Sequence, residues 1–341
     1  MKEQLTIFNN SDCFIEGWYW AIPTKKLGIG KIKAVSLLGK ELAIFRNFEK
    51  EVIAVDAYCP HMGAHLAEGK IEGEGVRCFF HNWKFNNEGK CIEVPCLNKS
   101  LPVNLNIHPT AEKYGIIWVW TGKQSPKYLP FVPELEKAEC EIIVANSFIK
   151  NCHPNVLTIN AIDAHHFNTV HNLPLEINFE KEEINENAIA FNNTTRGGDD
   201  SFLIKLIRPF YRNEVTYKIC YWYGSTGTVT IGPDFLHFYI MFALRGLEGG
   251  KTAGKTILIA KKRFGLLGWL FNRIVLCLTW LVGNYFAKGD TRIFQTIKFN
   301  LQTPLPADRA IVDFIKHAEA QQALSWGSWE EVDGDGEILQ G

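Results

Sequence analysis

Two groups of residues in this chain have the types and the spacing of metal ligands. The first lies in the stretch from Cys59 to Trp83, CPHMGAHLAEGKIEGEGVRCFFHNW, which holds Cys59-x-His61 and, sixteen residues on, Cys78-x-x-His81. Each pair sets one thiolate and one imidazole on a tight loop, the first turned by Pro60 and Gly63. Two cysteines and two histidines can hold a tetrahedral zinc. They can equally hold a two-iron, two-sulfur cluster in which two histidines replace two cysteines on one iron. Zinc sites usually pair C-x2-4-C with H-x3-5-H, whereas here each loop carries one ligand of each type. The second group is NAIDAHHFNTVH at 160–171, which contains Asp163-x2-His166-x4-His171. On a straight helix Asp163 falls between the histidines, about 60° from His166 and about 80° from His171, with His165 on the far side. The two histidines are themselves splayed by about 140°, so a helix end near Asn172, of the kind Pro174 supplies, would help them converge. Two histidines and a carboxylate on one face of an iron form the facial triad of non-haem Fe(II) oxygenases. A His-rich turn alone is more often surface or core than ligand; the conjunction of the two groups carries the reading.

The mixed C-x-H…C-x-x-H order resembles the Rieske domain. Followed downstream by D-x2-H-x4-H, it resembles the Rieske non-haem iron oxygenases, in their terminal oxygenase component (alpha-subunit type), over nearly the whole chain. The resemblance implies a Rieske 2Fe-2S cluster on Cys59, His61, Cys78 and His81. It also implies one mononuclear Fe(II) on His166, His171 and a downstream carboxylate, with O2 as co-substrate. Candidates for that carboxylate are Asp199, Asp200, Asp234, Glu248, Asp290, Asp308 and Asp313. The family places it at the start of a long late helix in text resembling GDTRIFQTIKF, which points to Asp290; the alternative role for Asp290 is a helix N-cap. Asn160, three positions before Asp163, also fits the family pattern. Some residues depart from it. Asn82 stands where glycine is common, but Asn tolerates φ > 0. Met62 stands where arginine is common, Phe79-Phe80 replaces a proline-aromatic pair, and none of these removes a ligand. Trp83 either shields the cluster side or is an ordinary core residue.

Further expectations come with the resemblance. Electrons come from a separate ferredoxin or flavin-dependent reductase. The substrate is a small apolar or aromatic molecule, with hydroxylation the leading outcome and desaturation, oxidative cyclisation or N-oxygenation as alternatives. Three chains pack head to tail, and Asp163 bridges a histidine of one chain's cluster to a histidine of its neighbour's iron. The rival of another class is a Rieske electron-transfer protein that has no second iron.

The elements that must position these ligands read as α+β. Short apolar-rich runs, KAVSLLGKELAIFRNF, EVIAVDAYC, KCIEVPCL and YGIIWVWTG, suggest a small antiparallel β-domain up to about residue 122. The segment GKQSPKYLPFVPELE carries three prolines and reads as a linker over the surface. The expected division is an N-terminal arm and Rieske domain at 1–125, an iron-binding catalytic domain at 126–330, and a disordered acidic tail at 331–341. In the second domain SFLIKLI, VTYKICYWY, TVTI, FLHFYIMFAL and KTILIAK read as strands, and the resemblance implies a curved antiparallel sheet gripped by helices, START-like. Tyr221, Trp222, Tyr223, Phe238, Tyr239 and Phe242 are candidate cavity walls, although strand aromatics are often plain core.

Composition sets bounds. The 341 residues carry a formal net charge of −1, which gives no electrostatic reason for a nucleic-acid partner. Nine cysteines, an odd number irregularly spaced, and the start MKEQLTIFNN favour a reduced cytoplasm over a disulfide framework. Cys91 and Cys96 read as small buried thiols. The stretch 264–286 has Arg273 as its single charge and is long enough to span a bilayer. The favoured reading is a helix or helix pair covering the active site. A spanning helix and an interfacial helix with peripheral membrane contact are the alternatives.

Overall fold

The computed structural model describes residues 6–123, 125–171, 177–196, 214–233 and 235–324. Eleven short strands precede the linker, in three antiparallel sheets. β2 (Ile32–Leu37), β3 (Lys40–Arg46), β4 (Val52–Asp56) and β9 (Ile107–His108) form one. β5 (Lys70–Glu72), β6 (Gly75–Arg77), β7 (Lys84–Asn86) and β8 (Cys91–Glu93) form the second. β1 (Trp18–Pro23), β11 (Ile116–Trp120) and β10 (Thr110–Lys113) form the third. Leu38 and Gly39 turn β2 into β3 with φ of 50° and 84°, both positive as a two-residue hairpin requires. Cys59 and Cys78 end in the core beneath the second sheet with Val76 and Phe85.

The third sheet joins the two halves of the molecule. Alternation along its strands turns Trp18, Trp20, Trp118 and Trp120 into the core of the second domain, and Tyr19, Ile117 and Val119 toward the first. The N-terminal arm follows the second domain too. Phe8 packs edge-on against Phe314, and the backbone N–H groups of Thr6, Ile7 and Phe8 donate to the Glu319 carboxylate. The arm expected to belong with residues 1–125 is therefore held by the far end of the chain. The linker is held by side chains of the second domain, as Trp222 Nε1 and Tyr223 Oη donate to the carbonyls of Phe131 and Tyr128.

The second domain is one seven-stranded antiparallel sheet: β12 (Cys140–Lys150), β18 (Lys251–Lys261), β17 (Phe238–Leu247), β16 (Thr226–Pro233), β15 (Glu214–Trp222), β14 (Ala188–Arg196) and β13 (Glu180–Asn185), in that spatial order. β13 to β18 meander, and β12 closes on the last of them, so the connection after β12 must cross the sheet. That crossing carries α1 (Pro154–Ile159) and α2 (Ala164–Thr169). α3 (Gly265–Thr296) packs on β12, β17 and β18, and α4 (Arg309–Glu319) on β13 and β14. The stretch 264–286 is thus part of one 32-residue helix that continues through Asp290. Nothing in the text between Gly265 and Asp290 forces a break. The expected start of a late helix at Asp290 is accordingly corrected, and with it the N-cap alternative: the cap is Phe264. The tail at 331–341 and the run at 201–207 lie outside the described residues.

Candidate metal centres

The first ligand loop closes on itself, with Gly63 N donating to Cys59 O and Cys59 N to Ala64 O, both at 2.9 Å. Gly63 has φ of 70°, which this turn needs. In the second loop Cys78 N donates to Trp83 O at 2.9 Å, and Asn82 takes the left-handed conformation at φ 58°. Arg77 braces it, donating to Asn82 O at 2.7 Å and pairing with Glu72 and Glu93. The loops meet: the His61 and His81 ring centroids are 4.5 Å apart, and Trp83 stacks on His61 at 4.6 Å and 7°. Both thiols are buried and both imidazoles exposed. Burial pushes the Cys59 thiol up to about 11, and Cys78 beside it adds to the shift. Two thiolates at such a place need a cation between them, which is the demand a metal cluster meets. Cys91 is buried in the same core, whereas Cys96, expected buried, is exposed at a turn after β8.

The second group is built from a broken helix. Asp163 does not lie on a continuous helix between the two histidines. Its φ and ψ of −81° and 100° make it the N-cap of α2, where Oδ1 accepts from His165 N and His166 N at 3.0 and 3.2 Å. The orientation of His166 comes from the Asp163 backbone, because Nδ1 lies 2.8 Å from its carbonyl oxygen. A carbonyl only accepts, so Nδ1 carries the proton and Nε2 presents its lone pair. α2 ends at Thr169, earlier than the expected end near Asn172, and the turn after it swings His171 back toward His166. Pro174 and Asn172 lie outside the described residues.

His166, His171 and Asp290 come together, their ligand atoms all within 4.8 Å of one another. His171 Nε2 is 3.1 Å from His166 Nε2 and 3.1 Å from Asp290 Oδ1, and His166 Nε2 is 3.6 Å from the same oxygen. Ligands at right angles with bonds of about 2.1 Å stand about 3.0 Å apart, so these spacings fit one shared ion. Asp290 Oδ1 is buried and, despite its nearness to His171, makes no hydrogen bond among the described residues. A buried carboxylate oxygen left so is costly, and a cation at the centre of the three would satisfy it. Burial lowers the His171 pKa against the pull of Asp290, which favours the neutral, ligating imidazole. Of the other acidic candidates, Glu248 sits in a turn before β18, Asp308 accepts from Leu305 N, and Asp313 lies on α4. Asp199, Asp200 and Asp234 lie outside the described residues.

Several further residues support the triad, most of them outside the motif. A Cβ on Gly289 would sit 3.0 and 3.1 Å from His171 Cε1 and Nδ1, so glycine lets α3 approach the imidazole. Tyr285 Oη donates to His171 O at 3.0 Å, and the Phe286 ring lies 4.9 Å from the His171 ring. Asn160 Nδ2 is 3.3 Å from His166 Nε2. A cavity of about 400 Å³ opens beside the triad, between the sheet and α1, α2 and α3. Its walls are mostly apolar, with Lys150 and Asp290 as their charged groups apart from the histidines. Strand parity, together with position along the strand, decides which aromatics line it. Tyr217, Ile219 and Tyr221 of β15 face in with Phe242 of β17, while Trp222, Tyr223, Phe238 and Tyr239, also expected as walls, lie elsewhere.

Residues 17–111 match the family described as the Rieske [2Fe-2S] domain. The cholesterol 7-desaturase of Xenopus laevis is 35% identical over 162 residues, which cover 46% of this chain and 36% of that protein. The 3-ketosteroid-9-alpha-monooxygenase, oxygenase component, of Rhodococcus rhodochrous is 29% identical over 169 residues, covering 48% of this chain and 45% of that one. The match thus spans less than half the length of these curated relatives. In fold, the chain is similar to dicamba monooxygenase solved with non-heme iron and dicamba, with a TM-score of 0.61 over 91% of this chain and 97% of that one at 17% identity.

Proposed function

We propose that this chain is a terminal oxygenase of the Rieske non-haem iron type, which oxidises a small, largely apolar molecule with O2. The observation that carries the reading is the set of two Nε2 atoms and one carboxylate oxygen converging on the wall of an apolar cavity. When bound, iron at that set supplies the activation of O2, and the cluster supplies electrons one at a time. The chain's own residues do the rest. The Asp163 carbonyl holds the His166 tautomer, and Tyr285 and Gly289 hold His171 against α3. Phe167, Phe286 and Phe294 keep water from the site, and the apolar walls orient the body of the substrate. Lys150, held by Thr291 Oγ1 at 3.0 Å, suits one acceptor group on that substrate.

The electron donor is a separate ferredoxin or flavin-dependent reductase, a reading supported by the relative named as an oxygenase component. The working unit is a homotrimer in which the exposed cluster histidines of one chain meet Asp163 of the next. Asp163 suits this because only Oδ1 is used in capping α2.

Hydroxylation consumes O2, two electrons and two protons and leaves one oxygen atom in the product and one in water. Desaturation consumes the same and leaves both in water, a second reading favoured by the similarity to a cholesterol 7-desaturase. The holoprotein, reduced and mixed with a panel of sterols and substituted arenes under 18O2, is expected to give an 18O-labelled alcohol or phenol. An unlabelled alkene would move the reading to desaturation. Cluster oxidation with no product from any member, at any donor supply, would count against oxygenase activity on this substrate class.

A further inference from the structure

The outer face of α3 is apolar and carries the larger part of that helix's side chains. Leu270, Ile274, Leu278, Leu281 and Tyr285 follow one another at helical spacing and are between 39% and 57% exposed, while Leu266 and Leu267 reach 80% and 82%. The opposite stripe, Asn272, Val275, Leu276 and Thr279, is buried. The inner stripe mixes two polar with two apolar side chains, whereas leucines dominate the outer face. A contiguous exposed patch of this size marks an interaction surface.

Charge and aromatic chemistry select what covers it. No acidic residue occurs from 264 to 289, although the whole chain is balanced at −1. Lys262 Nζ lies over the Phe264 ring at 5.1 Å, Arg263 over Phe271 at 4.5 Å and Arg273 over Trp269 at 5.6 Å. Each cation thus borders an exposed ring of the same face, the arrangement in which basic heads reach phosphates while their stems and rings lie among acyl chains. Lys262 also pairs with Glu139 at 2.8 Å, but Lys261, Arg263 and Arg273 have no ion pair among the described residues. A second copy docking by the same face would set these cations against their own equivalents. Spanning is incompatible with the packing, since Asn272, Val275, Leu276 and Thr279 are buried on the sheet and Asp290 belongs to the triad.

We propose that α3 lies in the interfacial plane of an anionic bilayer, with its outer leucines in the acyl boundary and Lys261, Lys262, Arg263 and Arg273 on the headgroups. Its inner face, through Val282, Phe286 and Phe294, lines the cavity, so one helix separates lipid from the site. That second statement rests on the cavity being the substrate site; the surface itself does not.

Flotation of the full-length holoprotein with vesicles tests this. Vesicles of phosphatidylcholine with about a third phosphatidylglycerol should carry the protein up, and high salt should weaken the association. Leu270→Glu with Ile274→Glu and Leu281→Glu, and separately Leu267→Glu, should keep the cluster absorbance. The triple variant should lose about tenfold or more in partitioning, each leucine contributing several buried CH2 groups. Lys261→Ala with Lys262→Ala should remove the preference for anionic over neutral vesicles. Absence of flotation on both vesicle types overturns the proposal. So does retention after alkaline carbonate washing, which means a spanning helix, or a soluble oligomer that the triple variant splits, which means a protein partner. A protein that floats but forms no oxygen-dependent product keeps the surface and loses the functional reading.

Discussion

Asp290→Ala is expected to abolish turnover and the mononuclear iron while leaving the cluster's absorbance and reduction unchanged. The size follows from the geometry. Asp290 supplies one of three converging ligand atoms, and its Oδ1 has no other partner. Loss of an outer residue that only orients a ligand typically costs about 10–100-fold in metal affinity or activity, so losing a ligand should exceed about a hundredfold. The selectivity follows from chain position, because the cluster loops lie in a separate core beneath the second sheet. Gly289→Ala is the gentler companion. Its methyl would press on His171 at about 3 Å, and iron binding should weaken without the carboxylate being touched. Retention of iron and turnover by Asp290→Ala, with loss in Asp234→Ala, would reassign the third ligand.

Asp163 is expected to matter for turnover far more than for folding. Its Oδ1 caps α2, and removal of a cap costs about 1 kcal/mol. Asn caps nearly as well as Asp, so Asp163→Asn separates the two roles. In the bridging account, Asp163→Asn keeps the iron and a reducible cluster yet loses turnover by about tenfold or more. Coexpression of Cys78→Ala with His171→Ala extends the test between chains. Mixed trimers should regain activity that neither parent has, because an intact cluster then faces an intact iron across an interface. Inactive mixed trimers whose halves bind their remaining metals would confine electron transfer to a single chain.

Much of the candidate site was legible because the residues that could hold metal are close in sequence. Cys59-x-His61, Cys78-x-x-His81 and His166-x4-His171 are each placed by one loop or one helix end, and Asn82 adopts the positive φ that its residue type permits. Asp290 rested on the resemblance, since a carboxylate over a hundred residues away leaves no local trace of its partners. Its helix runs on from 264–286 because no proline lies between Gly265 and Asp290. Asp163 was misplaced because an ideal helical projection ignores that Asp prefers the cap to the interior. Of the four expected walls that lie elsewhere, Trp222 and Tyr239 have the opposite parity to the lining, whereas Tyr223 lies beyond the end of β15 and Phe238 at the start of β17. Tyr217, Ile219 and Tyr221, opposite Gly227 and Val229, alternate as one face of a sheet must, and that signal was present. Gly289, a glycine inside a helix, also advertised a close approach. Lys150 and the arm's attachment to α4 had no such signature, because both depend on which distant segments the fold brings together.

The central claim is that one chain holds two iron centres of different kinds. Metal analysis of the anaerobically purified protein, read together with electron paramagnetic resonance of the reduced form, tests it most directly. The account predicts a brown protein with about three irons per chain, two in the cluster and one mononuclear, and the low-average-g signal of a mixed Cys/His cluster. In His81→Ala that signal should vanish, while in His171→Ala it should persist with one iron fewer. A colourless protein with stoichiometric zinc, or a brown one that holds two irons per chain and takes up no third, would contradict it.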